Sequence, residues 1–543
     1  MTHPAAAARA RPALRRLALS AALLLAGGTA ARAEQVLRIA MTASDVPTPT
    51  GMPNNGFEGL RFAGYPIFEG LVSWDLSRSD RLATLRPGLA TSWEQSADDR
   101  STWTFHLRQG VRFHDGTPFD ADAVIWNLDR YYKADSPQFE ASGAGMAHAR
   151  APLVASYRKI DDATITITTT QPASFLADQL VYLLFTAPSS WEKAGRDWSR
   201  VATLPAAGTG PFRIAAFTPR QSLRLARWDG YWDPQRRAKA DGVLLLPMPE
   251  ANTRLAALRS GQVDWIEVPP PDGIDSLKAA GFTITMNAYP HVWPWFFDIG
   301  AAGSPFADVR VRQALNYCVD RAGLVELLGG TAEPASGWLK PDDPRFGAPE
   351  NHYVFDAKRG RALLAQAGFT DARPLSFKVM VSPSGSGQMV PMPMNEFLQE
   401  NLKQACGVDV TFDVVDWTVL LGASRLAPDS PGLHGDLALN ISSPTSDAGI
   451  MSRYFAAANF SPKGFNFEHW DDAGFEAALH TLAEATDPAT ILAAFRAAHA
   501  RLVDDPPWLY VVHDRNPRAM SARVHGFIPA QSWFVDLATV SVQ

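Results

Sequence analysis

The amino-acid sequence predicts an α/β protein built from at least two lobes. Three observations carry this expectation. Short apolar runs rich in Val, Ile, Phe and Trp alternate along the chain with longer segments of helical periodicity, a pattern that assembles into sheets covered by helices. Gly, Pro, Asn and Asp mark the boundaries between them. The 543 residues also exceed the roughly 100–200 that one core usually organises.

The first 33 residues read as an export signal. Arg9, Arg11, Arg15 and Arg16 precede an apolar run over 17–26, and Ala31 and Ala33 put small residues where a signal peptidase reads them, so cleavage is expected before Glu34. The residues around Arg15-Arg16 fit a twin-arginine signal poorly, which favours the ordinary secretory route. No Cys follows the cleavage point, against a lipid anchor, and no later stretch reaches the ~18 apolar residues of a membrane span. The mature chain is therefore expected to be soluble, with no insertion into the membrane. Cleavage removes five arginines and no acids, turning 50 basic and 56 acidic residues into 45 and 56, a net charge of −11. That balance disfavours nucleic acid or anionic lipid as a partner.

The elements follow in order. Val36 to Met41 reads as the first strand, and a loop rich in Pro and Asn follows at 47–55, a position where loops often face a ligand. Residues 101–107 (STWTFHL) alternate small or polar with large apolar side chains, Gln109-Gly110 ends the run, and a second strand is expected to reach His114. Asp115-Gly116 makes a tight turn, Pro118 presets the next φ, and Asp120 caps a helix over 121–130. Residues 164–169 form a β-branched strand, 208–212 (GTGPF) a turn and 223–227 a strand, and a helix over 252–260 stops at Gly261. Asp308 caps a helix whose Val311, Ala314, Leu315, Cys318 and Val319 share a face, and Asp356 begins another. A helix over 393–406 leads through Gly407 to a strand in which Val408, Val410, Phe412 and Val414 alternate. Asp487-Pro488 opens the last long helix, and 508–513 is a strand. Cys318 reads as a buried thiol; Cys406 is able to pair with it in an oxidising compartment, but the sequence gives no distance between them.

Residues 85–130 carry a resemblance to a known family. Pro87, Leu89, Ala90, Ser92, Trp93, Thr104, Phe105, Leu107, Arg108, Gly110, Val111, Phe113, His114, Asp115, Gly116, Pro118 and Phe119 fit its signature in order. The GTGPF turn, Tyr231-Trp232, residues 256–264 (AALRSGQVD), residues 305–315 (PFADVRVRQAL) and the Leu363 to Phe369 ending add to it. The chain resembles the periplasmic solute-binding proteins that serve ABC importers of dipeptides, oligopeptides and nickel. The resemblance implies a two-lobed (Venus flytrap) fold with a subdomain inserted in the first lobe. Lobe one would comprise 34–75, 200–298 and 508–543, the inserted subdomain 76–199, and lobe two 299–507. It implies a periplasmic monomer that closes on a small-molecule or peptide-like ligand and delivers it to membrane permease subunits, with no cofactor.

Site residues are expected where strands and loops meet the cleft. Trp293 and Trp295 alternate on one strand and either line a cleft wall or belong to the core. Trp417 follows a strand near the place from which relatives present an aromatic residue. In peptide-binding relatives the region of 440–447 resembles D-x-x-D/E-P, whose first acid pairs with the peptide α-ammonium; here Pro444 stands at that acid and Ala448 at the proline. The usual anchor is missing, which makes a peptide with a free N-terminus a less secure expectation, and Ser442, Ser443, Asp447 and Arg453 are candidate contacts for a different polar ligand. Asn466 lies where relatives place an Asn-rich loop near the cleft.

An enzyme is not expected. The histidines form no tight metal-ligand cluster, two separated Cys make no zinc site, and no GxxxxGK[ST] phosphate loop occurs. An exported hydrolase would have His114 and Asp115 as its nearest candidates, yet both sit in the family's turn motif. A ligand sensor or chaperone on the same fold shares every motif.

Overall fold

The computed structural model describes residues 34–54 and 56–543; the expected export signal over 1–33 lies outside the described residues. Two large sheets form the framework. The first runs in the order Thr283–Thr285, Arg518–Met520, Trp265–Glu267, Val36–Met41, Gly242–Pro247, Ser222–Arg227, Phe212–Thr218. Val36–Met41 lies parallel to both of its neighbours, and its alternate side chains Leu37, Ile39 and Met41 are fully buried. The second runs Ala332–Pro334, Trp508–Asp514, His291–Phe297, Ala438–Asn440, Ser376–Val381, Asp409–Val414. A separate four-stranded sheet, Ala90–Gln95, Thr102–Leu107, Thr164–Thr169 and Val154–Asp161, lies wholly within residues 76–199. No helix among the described residues is long and apolar enough to cross a membrane.

Helix starts follow local chemistry. Asp120, Asp308, Asp356 and Asp487 each accept a bond from a backbone N–H two or three residues on, satisfying groups the helix leaves free. Gly407, at φ 68°, ends the helix Pro391–Cys406 in the left-handed conformation that glycine adopts without strain. One expected strand does not form. Residues 111–118 close through a lone bridge between Arg112 and Pro118, and the partners of Thr102–Leu107 are Ala90–Gln95 and Thr164–Thr169.

Two expected boundaries shift. The expected lobe one includes 291–297 and 508–514, but His291–Phe297 and Trp508–Asp514 pair with each other inside the second sheet. The chain therefore crosses between the sheets at 286–290 and 515–517. The crossings run side by side, with the Asn287 N–H donating to the Arg515 carbonyl at 3.1 Å. Beside them Glu267 accepts from Arg518 Nε at 2.8 Å, from Trp265 Nε1 at 2.8 Å and from Arg61, whose other nitrogens reach Tyr289 and the Trp533 carbonyl.

The second sheet's core holds Trp293, Trp295, Leu315, Leu398 and Leu509. Cys318 and Cys406 are joined there as a disulfide with Cα atoms 6.1 Å apart, which closes the question the sequence left open. Gly360 makes room for it: a Cβ at that position would lie 2.4 Å from Cys318 Sγ.

Candidate ligand cavity at the strand ends

In open α/β sheets, ligands bind beyond the carboxyl ends of parallel strands, where successive loops fan apart. Here four such loops converge. The loop after Val36–Met41 brings Asn54 and Phe57, that after Ser376–Val381 brings Ser386, that after Asp409–Val414 brings Trp417, and that after Ala438–Asn440 brings Ile441 and Ser442. The helix Ala141–His148 adds Met146, with Arg150 just beyond it; the turn after Trp417–Ala423 adds Arg425, and the helix Ala448–Phe455 adds Arg453 and Tyr454, followed by Phe465. Together they enclose a cavity of about 230 Å³. A hydrogen bond ties two of these loops: the Glu58 N–H donates to Ser386 Oγ at 2.9 Å. Thr42 Oγ1 donates to the Glu58 carboxyl at 2.7 Å.

Trp417 opens the short helix Trp417–Ala423, capped by Asp416, which accepts from the Thr418 N–H at 2.8 Å. The indole is buried, and its Nε1 has no partner. Ser442 Oγ donates to the Ser386 carbonyl at 3.0 Å and so joins two of the loops.

Three arginines give the cavity its charge. Arg453 lies 4.1 Å from the Phe465 ring centroid, Arg425 5.7 Å from the same ring, and Arg150 5.7 Å from that of Phe57. Aromatic faces attract guanidinium groups but satisfy none of their N–H donors in the plane. Among the described residues, Nε of Arg150, Nε of Arg425, and Nε and Nη1 of Arg453 are buried without a partner, and no Asp or Glu lines the cavity. Burial, reinforced by Arg453 and Arg425, pushes the Arg150 guanidinium down to about 9; burial and then Arg453 push that of Arg425 down as well.

Five of the eight expected ligand contacts stand elsewhere. Trp293 and Trp295 are fully buried in the second sheet, their Nε1 groups donating to the Gln388 carbonyl at 3.1 Å and Asn395 Oδ1 at 2.8 Å. Strand alternation does set them on one face, but that face is the one helices cover. Ser443 is fully buried in a two-residue strand, bonded to the Pro444 carbonyl. Asp447 caps the helix Ala448–Phe455, accepting from the Ile450 N–H at 2.9 Å and from Ser446 Oγ, and burial pushes its carboxyl up. Asn466 staples a turn, its Nδ2 donating to the Phe455 and Trp470 carbonyls; its neighbour Phe465 is the residue that reaches the cavity. Trp417, Ser442 and Arg453 do line it. Arg150, Arg425, Ser386 and Phe57 line it too, and nothing local in the sequence marks them.

His114 and Asp115 are held structurally. His114 Nδ1 accepts from the Gly208 N–H and Nε2–H donates to the Gly210 carbonyl at 2.9 Å, clamping the GTGPF turn, while burial lowers the imidazole to about 4. Asp115 accepts from Lys193 Nζ at 2.9 Å and from the Thr117 hydroxyl. Among the described residues one trio has metal-ligand proximity, Asp413, His434 and Asp436. It lies outside the cavity, and Lys378 Nζ stands 3.3 Å from Asp436 as its counter-charge. A second cavity, of about 490 Å³, has walls of Pro249, Pro271, Leu327, Met389 and Pro391. Its Arg254 is already spent on the carbonyls of Met248, Pro249, Glu267 and Val268.

Comparison with known proteins agrees with this architecture. A glutathione-binding protein of Shigella boydii serotype 4 is 27% identical over 459 residues, 82% of this chain and 84% of the relative. The dipeptide-binding protein of Escherichia coli strain K12 is 25% identical over 491 residues, 85% and 86% of the two chains. The dipeptide-binding protein of Pseudoalteromonas sp. SM9913, solved with Met-Leu, superposes with a TM-score of 0.80 at 20% identity, covering 94% of this chain and all of that one, a likeness of fold. The family model for the bacterial extracellular solute-binding proteins, family 5, matches residues 84–465, and the chain belongs to that family.

Proposed function

We propose that this protein is the extracytoplasmic solute-binding component of an ABC importer, and that it holds a small, peptide-like solute in the cavity bounded by Trp417, Ser442, Ser386, Arg150, Arg425 and Arg453. One observation carries the reading. Charged donors are buried at the convergence of loops from both lobes and left without partners, and buried guanidinium groups are costly unless something pairs with them. A bound solute supplies that pairing. It would also add contacts to the Glu58–Ser386 bond between the loops, favouring a closed form for a membrane permease to recognise. The protein would act as a periplasmic monomer. The names of the relatives support this class of function, and the structural roles of His114 and Asp115 speak against a hydrolase at that turn.

Titration calorimetry with peptides, acylated amino acids and organic acids tests the reading. Binding at one site per chain, weakened in Trp417→Ala and returned as unchanged solute, is the expected result. A panel that produces no binding and no product would overturn it.

A further inference from the structure

We infer that the solute is a polyanion: a small molecule with two or three oxyanion groups around an apolar body and no free ammonium. This rests on the reading of the cavity as the solute site and goes further, to the chemistry of what enters it.

The argument is a comparison among the protein's own buried arginines. Arg61 and Arg518 bind Glu267, Arg130 binds Glu140, Arg312 binds Asp505, and Arg254 and Arg321 donate to backbone carbonyls. Each of these guanidinium groups has a carboxylate or carbonyl partner, although Nη1 of Arg130 is left without one. Arg150 and Arg453, each 5% exposed, and the neighbouring Arg425 are the exceptions. They come from three separate stretches of chain and meet at one cavity. Burial first, and their mutual repulsion after it, lowers the affinity of Arg150 and Arg425 for their protons.

Three cations facing one cavity, with no acid among the described residues of its wall, set the charge of the occupant. A zwitterionic peptide brings one carboxylate and one ammonium. Its carboxylate would pair with one arginine, while its ammonium would be desolvated among the others with no acceptor of opposite charge. A solute with two or three carboxylates, or with phosphonate or phosphate groups of the same acceptor geometry, pairs with each fork. Phe57, Met146, Leu421 and Ile441 form the apolar part of the wall and Trp417 a flat one, so the body between the anionic groups is apolar or aromatic.

A matched pair of probes isolates the point. N-succinyl-phenylalanine and α-aspartyl-phenylalanine share two carboxylates and an aromatic ring and differ only in one ammonium. Calorimetry at neutral pH on the mature protein is expected to give at least tenfold tighter binding for the succinyl compound. The double variant Arg150→Gln/Arg453→Gln is expected to lose that preference. N-phosphonoacetyl-phenylalanine separates the two oxyanion chemistries: the tighter of the two acids identifies which one the forks prefer. Should the variant fail to fold, the wild-type comparison decides alone. Equal or tighter binding of aspartyl-phenylalanine, or failure of both acids to bind, overturns the inference. If peptides with free amines bind in their place, the importer reading stands and only the polyanion falls; if neither class binds, both fall.

Discussion

Gly385 lies directly against the indole of Trp417: a Cβ at position 385 would stand 2.4 Å from the ring. Its φ of 147° is one that L side chains rarely adopt. This glycine thus sets the pose of the aromatic wall. Gly385→Ala is expected to displace the indole and weaken solute binding by about 1–3 kcal/mol, the range also expected for Trp417→Ala. Calorimetry of the two variants checks this; a Gly385→Ala protein that binds like wild type would remove the ring from the site.

The Glu267 carboxylate joins Arg61 and Arg518 beside the two chain crossings. Burial pushes this carboxyl up, but Arg518 and Arg61 outweigh it and hold it below the usual carboxylate range. Glu267→Gln leaves two buried guanidinium groups uncompensated, and a loss of about 3–5 kcal/mol is expected in urea unfolding. A variant as stable as wild type would show that other partners absorb both charges.

The Cys318–Cys406 bridge closes a loop of sequence separation 88. In the chain-entropy account such a loop contributes about 4–5 kcal/mol. The Cys318→Ala/Cys406→Ala variant should unfold at correspondingly lower denaturant, yet bind solute with unchanged affinity, because neither residue lines the cavity.

His499 is fully buried; its Nε2 accepts from the Leu339 N–H at 2.9 Å and its Nδ1–H donates to the Phe346 carbonyl, so the folded protein holds it neutral. Burial lowers it to about 4, against 6.5 when exposed. Between those values the unfolded chain binds a proton and the folded one does not, so its contribution to stability is complete above pH 6.5 and is lost as pH falls toward 4. The stability difference between wild type and His499→Gln is expected to narrow by on the order of 3 kcal/mol from pH 7 to pH 4. A pH-independent difference would contradict the buried neutral state.

The framework was legible because its signals are local. Asp120, Asp308, Asp356 and Asp487 announce helices whose first N–H groups lie two or three residues away. The site was less legible. The two faces of a strand look alike in sequence, so Trp293 and Trp295 did not disclose that helices cover theirs. The spacing from Asp447 to Ile450 is that of a helix cap, which is what Asp447 proves to be. Arg150, Arg425 and Arg453 each resemble an ordinary surface charge near a helix, and only the tertiary fold brings them to one cavity.

A crystal structure of the protein with solute bound tests the central claim most directly. The account predicts solute density in the cavity, its flat or apolar part against Trp417, with acceptor atoms about 3 Å from the guanidinium nitrogens of Arg150 and Arg453. Solute seated in the cavity walled by Pro249, Leu327 and Met389, with the three arginines still unpaired, would contradict it.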